Sequence, residues 1–263
     1  MARSRISSFL FVLALGVLGS GPVMAQGKLA DAKPGDIRLF VSGSMRAPML
    51  AIQGQLEKAT GRKVVMESSE SRTLQREIEA GQPFEAALMI TPVVQDMIQK
   101  GRMVAGSDKM VAVVRVGVSV RGDAPKLDVA TPEGLKKAIL GAHSIRRYIG
   151  VAASVPITNN LFAKLDLEAA TKSRMVDLDS GNIPPEAPLA PGQYELIVNL
   201  ISAIIPMKGW TYLGPIPEQF QMPVYHSAAL GAAGDHALGA KMMAMLDSPE
   251  FNAALTANGI TRK

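Results

Sequence analysis

The chain has 263 residues, of which 48% are hydrophobic and 19% charged, with a formal net charge of +5 and no cysteine. That apolar content at this length supports one large core or two modest ones and excludes a disordered or nucleic-acid-coating chain. The missing cysteines exclude a disulfide scaffold, a thiolate metal site and a lipid-modified cysteine anchor.

Arg3 and Arg5, the apolar stretch from Phe9 to Leu18 and the small-residue site Val23-Met24-Ala25 read as a signal peptide cleaved after Ala25. The mature chain then begins at Gln26 and is expected in the periplasm. Residues 1–25 contain no acidic residue, so cleavage takes the formal charge from +5 to +3. No later stretch is long and apolar enough to span a bilayer. No basic tract with interleaved aromatics marks a nucleic-acid surface.

A polar lead over 26–36 precedes a short buried strand from Ile37 to Val41. Met49, Ile52 and Leu56 recur at helical spacing after Pro48, and Gly61 ends that helix. Lys63 to Met66 reads as a second strand, Thr73 to Ala80 as a helix, and Ala86 to Ile90 as a third strand. Thr91-Pro92 opens a further helix. This βαβαβα order predicts a parallel sheet covered by helices. Met110 to Val120 is a long, mostly β-branched run, read as one strand that crosses into a second domain. Helices are expected from Thr131-Pro132-Glu133 and from Thr158 to Leu165. Strands are expected from Ser144 to Ile149, Met175 to Leu178, Tyr194 to Leu200 and Trp210 to Leu213. Residues 181–192 read as an irregular loop. Gly214-Pro215-Ile216-Pro217 is the return crossing. A strand from Pro223 to Leu230 and helices from Asp235 and from Ser248-Pro249-Glu250 complete the chain.

The expected organisation is α/β: lobe 1 from 26–115 and 216–263, lobe 2 from 116–215, joined by two crossing segments with the ligand cleft between them. Ligands of open α/β sheets sit beyond the carboxyl ends of strands. Two serine-rich strand–helix turns lie there, Ser42-Gly43-Ser44 and Ser68-Ser69-Glu70-Ser71. Free N–H groups at helix starts and the hydroxyls of Ser44 and Ser71 could hold a small anion.

The serine turns, the run from Leu74 to Pro83 and the closing Ser248-Pro249-Glu250 with Asn258-Gly259-Ile260 resemble the periplasmic molybdate-binding protein family. The resemblance implies a type II periplasmic binding protein, an importer permease as partner, a monomer, a small anionic ligand and no cofactor. It puts the family's oxyanion-binding serines on Ser44 and Ser71. It puts a small-residue turn loosely on Ala153 and Ser154, and the family tyrosine on Asn199. That asparagine, and Arg72 directly after Ser71, depart from the family pattern and favour an organic carboxylate over molybdate, because guanidinium pairs bidentately with planar carboxylates. The same family includes aconitate isomerase, so an isomerase is the alternative; its base candidates are Glu70 and His226, with Arg72 as the cation partner. Arg46 repeats the Arg72 argument more weakly. Alternation sends Arg146 and Arg147 to opposite strand faces, with solvation the expected fate. His143, His226 and His236 lack metal-ligand spacing, and no metal is expected. The 15 methionines are expected to fill core.

Overall fold

The computed structural model describes residues 28–148, 154–178, 186 and 188–263. The segment read as a signal peptide, the Ala153 position and residues 181–185 and 187 of the loop read over 181–192 lie outside the described residues.

The first three strands are β1 (Ile37–Ser42), β2 (Val64–Ser69) and β3 (Ala86–Ile90), all parallel, with β1 in the middle. Such strands are covered on both faces, which explains their nearly unbroken apolar sequences. A short 3₁₀ turn, Gly43–Met45, leads from β1 into α1 (Arg46–Thr60). Gly61, at φ 65°, takes the left-handed position that ends this helix. α2 (Ser71–Glu79) and α3 (Thr91–Gln99) follow β2 and β3. Pro48, Met49, Ile52 and Leu56 of α1 pack on one sheet face. Leu74 and Ile78 of α2 join Val93, Val94 and Met97 of α3 on the other, beside the Phe40–Phe84 ring pair. Met45, Met49, Met66, Met89 and Met97 are all buried, the core-filling role expected of them, whereas Met110 is exposed.

The run from Met110 to Val120 is not one strand. It is β4 (Lys109–Val114) and β5 (Val116–Gly122), which belong to different sheets. Arg115 is the residue between them, and it pairs with Glu218 on the return segment. Nothing in a β-branched run marks such a change of sheet. The second sheet adds α4 (Pro132–Gly141), β6 (Ser144–Tyr148), α5 (Ser154–Lys164), α6 (Glu168–Thr171), β7 (Met175–Leu178), β8 (Tyr194–Leu200), α7 (Ile201–Ile204) and β9 (Thr211–Pro215). The strand order is β7-β6-β8-β5-β9.

The chain then returns to the first sheet as β10 (Val224–Leu230), α8 (His236–Met245), α9 (Pro249–Ala257) and β11 (Ile260–Arg262). The order there is β11-β4-β10-β3-β1-β2. The start of α9 uses its serine–proline signal directly: Ser248 Oγ accepts from Phe251 N at 3.0 Å.

The two crossings are tied to each other. Gln221 Oε1 accepts from Val116 N at 2.9 Å, and its Nε2 donates to the carbonyls of Val116 (2.9 Å) and Ile216 (2.8 Å). Ile216 N also donates to Val116 O at 3.1 Å. One amide side chain thus satisfies backbone groups on both segments where the sheets change.

β10 is seated on β3 by close backbone approach. A Cβ on Gly231 or Gly234 would fall well inside van der Waals contact with the Phe84 carbonyl oxygen. Gly231 N donates to Glu85 O at 3.0 Å. Gly231→Ala is therefore expected to cost about 3 kcal/mol through overpacking against backbone that cannot yield. Scanning calorimetry should show Tm lower by roughly 6–12 °C.

Candidate functional site between the lobes

The register across the first sheet places the site. Ser42 and Ser69 are partners on β1 and β2, and Ser44 and Ser71 each lie two residues beyond them. His226 on β10 is the register partner of Ile90, the last residue of β3. The carboxyl ends of three parallel strands and the antiparallel His226 therefore share one edge of the sheet. The Ser44 turn also packs against α7 of the other lobe, so this edge faces the boundary between lobes.

Two hydrogen bonds reach across strand ends there. Ser44 Oγ lies 2.7 Å from His226 Nε2 and 3.1 Å from Ser42 Oγ. Ser71 Oγ accepts from Ile90 N at 3.1 Å. Ser71 and Ser42 are buried, and Ser44 is half-buried. His226 is fully buried, at 0% exposure. Burial pushes its pKa down from 6.5 to about 4, with the Val224 backbone opposing the fall. The imidazole is therefore neutral at neutral pH. Its Nδ1 makes no hydrogen bond of ordinary geometry.

The remaining sequence candidates are placed as follows. Arg72 is exposed, and its Nη1 donates to Gln75 Oε1 at 3.2 Å, along its own helix. Glu70 is half-buried at the N-cap of α2 and makes no side-chain cap bond. Asn199 is buried at the end of β8, and its Oδ1 accepts from Leu200 N at 2.8 Å. Ser154 is the first residue of α5. Arg46 is half-buried at the start of α1.

Arg146 was expected to be solvated but is buried, with Nε donating to Glu195 at 2.9 Å. Arg147 binds Asp177 and Asn159 at 2.8 Å each. His143 is exposed, and His236 begins α8 with Nε2 at 3.1 Å from the Gly231 carbonyl. The structure joins Ser44 directly to His226 and brings Ser71 to the neighbouring strand end. It also adds Ser42, which the sequence marks only as part of the Ser42-Gly43-Ser44 turn. The separation of 182 positions from Ser44 to His226 leaves no local signal of their contact.

Among the described residues no group of three or more His, Asp or Glu side chains is placed to hold a metal ion. No helix among them is long and apolar enough to cross a membrane. A cavity of about 490 Å³ lined by Lys33, Asp36, Arg38, Glu85 and Asp235 lies at the other end of β1 and β3, away from the serine turns.

The chain is similar to several known proteins along most of its length. Aconitate isomerase from a Pseudomonas species is 24% identical over 257 residues, covering 94% of this chain and 95% of that protein. The molybdate-binding protein ModA of Azotobacter vinelandii is 29% identical over 161 residues, 56% of this chain and 57% of ModA. The solved periplasmic molybdate-binding protein of A. vinelandii superimposes with TM-score 0.61 at 16% identity, covering 86% of this chain and 99% of that one. PEB3 of Campylobacter jejuni, solved with L-phospholactate, gives 0.60 at 11% identity across 87% of this chain and all of that one. The likeness to these structures establishes the fold, two α/β lobes of the type II periplasmic binding protein kind. A family model described as bacterial extracellular solute-binding protein matches residues 37–261, and the chain belongs to that family.

Proposed function

We propose that this protein is a periplasmic receptor that closes its two lobes over a small organic carboxylate and delivers it to an ATP-driven importer. The observation that carries the reading is the polar edge formed by Ser44, Ser71 and His226 where two lobes meet. Closure by rotation at two crossings is the usual way such folds bury a ligand. The departures at Arg72 and Asn199 favour a carboxylate over molybdate, and the relative matched along almost the whole chain acts on a tricarboxylate. The lobe division is taken at residues 115–116 and 215–216, with Ser44 and Ser71 as anion donors and Arg72, Ser154 and Asn199 as further contacts on closure.

The test is a thermal-shift and calorimetric screen of the mature chain with citrate, trans-aconitate, malate, succinate and molybdate. At least one carboxylate should raise Tm, since a ligand at a hundred times its Kd adds about 2.7 kcal/mol. Ser71→Ala should weaken that ligand by about 10- to 100-fold, the worth of a hydrogen bond to a charged group. Stabilisation by molybdate alone would overturn the carboxylate assignment.

A second reading, an aconitate isomerase-like enzyme, is favoured by the match over 94% of this chain. It needs a base beside the bound carboxylate. The depressed proton affinity of His226 makes it a poor final holder of the proton, which leaves Glu70 as the base candidate. Incubation with trans-aconitate at high protein concentration, followed by NMR, decides: no cis isomer means no isomerase.

A further inference from the structure

The short helix α7 (Ile201–Ile204) is where the second lobe rests on the first. It packs on β5 and β8 of its own sheet and on the Gly43–Met45 turn of the other lobe. Its first residue sits at the crossing itself. Ile201 N donates at 2.9 Å to the carbonyl of Arg115, the residue between the two sheets. The Ile201 side chain is buried. A β-branched residue carries two stiff arms on one Cβ, and here a glycine of each lobe meets one arm. A Cβ on Gly117 of β5 would lie 2.9 Å from Ile201 Cγ1. A Cβ on Gly259, between α9 and β11, would fall inside van der Waals contact with Ile201 Cγ2 and 2.7 Å from Ile205 Cδ1. Neither gap admits a methyl group, so bare backbone from both lobes closes on this one side chain.

We propose that Ile201 is the bearing on which the two lobes turn, and that the bare backbone at Gly259 sets how near to each other they rest. The bond to Arg115 keeps the bearing centred on one crossing, and Gln221 joins that crossing to the other. A helix seated on a glycine can tilt without a side chain catching it. Bulk at position 259 lifts α7 away from the first lobe on the side of the Ser44 turn and tilts the lobes apart there. The consequence for affinity rests on the receptor reading above, whereas the separation of the lobes is measurable with no ligand present.

Two measurements test it. The chain has no cysteine, so Lys58→Cys on α1 and Lys137→Cys on α4, both exposed, take one spin label in each lobe. Pulsed dipolar EPR of the mature protein then reads the separation. Gly259→Ala should lengthen the mean distance by about 2 Å or more, the size of a helix shift at an interface. Backbone strain is controlled by Gly61→Ala: Gly61 shares the φ of 65° with Gly259 but has no neighbour within 4 Å of an added Cβ. That control should keep the wild-type distance. Ile201→Ala strains nothing and should broaden the distribution, which keeps the test decisive even where Gly259→Ala does not fold. An unchanged distribution in Ile201→Ala, or a Gly259→Ala shift matched by Gly61→Ala, overturns the bearing. Calorimetry follows with citrate, trans-aconitate, malate, succinate and molybdate. Whichever binds the wild type should bind Gly259→Ala about tenfold more weakly, as when about a tenth of the molecules hold the competent angle. Gly61→Ala should bind as the wild type does. Equal affinity in Gly259→Ala overturns the link from lobe angle to binding. Binding of none of the five overturns the receptor reading, while the bearing stands or falls on the distances alone.

Discussion

Glu195→Ala is expected to lower the unfolding free energy by about 3–5 kcal/mol, the cost of stranding buried charge. Glu195 on β8 is 5% exposed and accepts from Ser144 Oγ (2.7 Å), Arg146 Nε (2.9 Å) and Arg121 Nε and Nη2 (3.0 and 2.6 Å). Arg121 also lies 3.6 Å from Glu186, but Arg146, itself 5% exposed, makes no other ion pair among the described residues. Removing the carboxylate leaves a guanidinium in the core with nothing to neutralise it. Replacing Arg121 and Arg146 by Met and Glu195 by Leu together should cost less than Glu195→Ala alone, because no charge is then left behind. Urea unfolding of the two variants makes the comparison. The network also shows its sign in acid. Burial pushes the Glu195 carboxyl up, but the Ser144 hydroxyl and the two arginines outweigh it and hold the pKa below the ordinary value. A depressed carboxyl pKa stabilises the fold above about pH 4.3 and loses that contribution as pH falls through the folded value. The cluster braces β6 and β8, whose carboxyl ends lead toward α5 and to Asn199 and α7.

Acidification from pH 7 to pH 4 should remove on the order of 3 kcal/mol through His226 alone, because each tenfold loss of proton affinity on folding is worth about 1.4 kcal/mol. The folded pKa is about 4, below the unfolded value of 6.5, so the unfolded chain binds the extra proton in this interval. Stability is complete above pH 6.5 and declines toward pH 4. The window lies above that of Glu195, so the two contributions separate on one titration. Urea midpoints for the wild type and His226→Gln, measured between pH 7 and pH 4.5, provide the check. The variant should start lower, because it loses the Ser44 bond, and should show a flatter slope. Parallel slopes would count against a neutral buried imidazole.

The strands from Ile37, from Lys63 and from Ala86 were legible to within one to three residues, because each is an apolar run closed by small polar residues or by proline. Thr131-Pro132 and Ser248-Pro249 marked helix starts because a capping hydroxyl and a proline suit the first turn for separate reasons. Period and punctuation are local, and where structure depended on distant partners the reading weakened. Alternation separated Arg146 from Arg147 but could not show a carboxylate waiting on β8, 49 residues on, and so the expectation of solvation failed. The break at Arg115 was hidden in the same way, since Gln221 and Glu218 hold it from a hundred residues away. At the site, the turns holding Ser44 and Ser71 were visible, while the contact between Ser44 and His226 was not. His226 read as a base candidate in a strand near the return crossing, with nothing local to show that it meets Ser44.

The position of β10 has a consequence for the order in which the molecule is assembled. All five strands of the second sheet come from one continuous stretch, Val116 to Pro215. The first sheet is different: β10 lies between β3 and β4 and runs antiparallel to both. A chain folding as it is made can complete the second lobe while β3 and β4 still present unpaired edges, which are open to wrong partners. Those edges are covered only when Val224 to Leu230 arrive. The same strand carries His226, so Ser44 acquires its imidazole partner in the step that closes the sheet. No partly assembled lobe can offer the finished cleft, and ligand recognition therefore reports that the first lobe is complete.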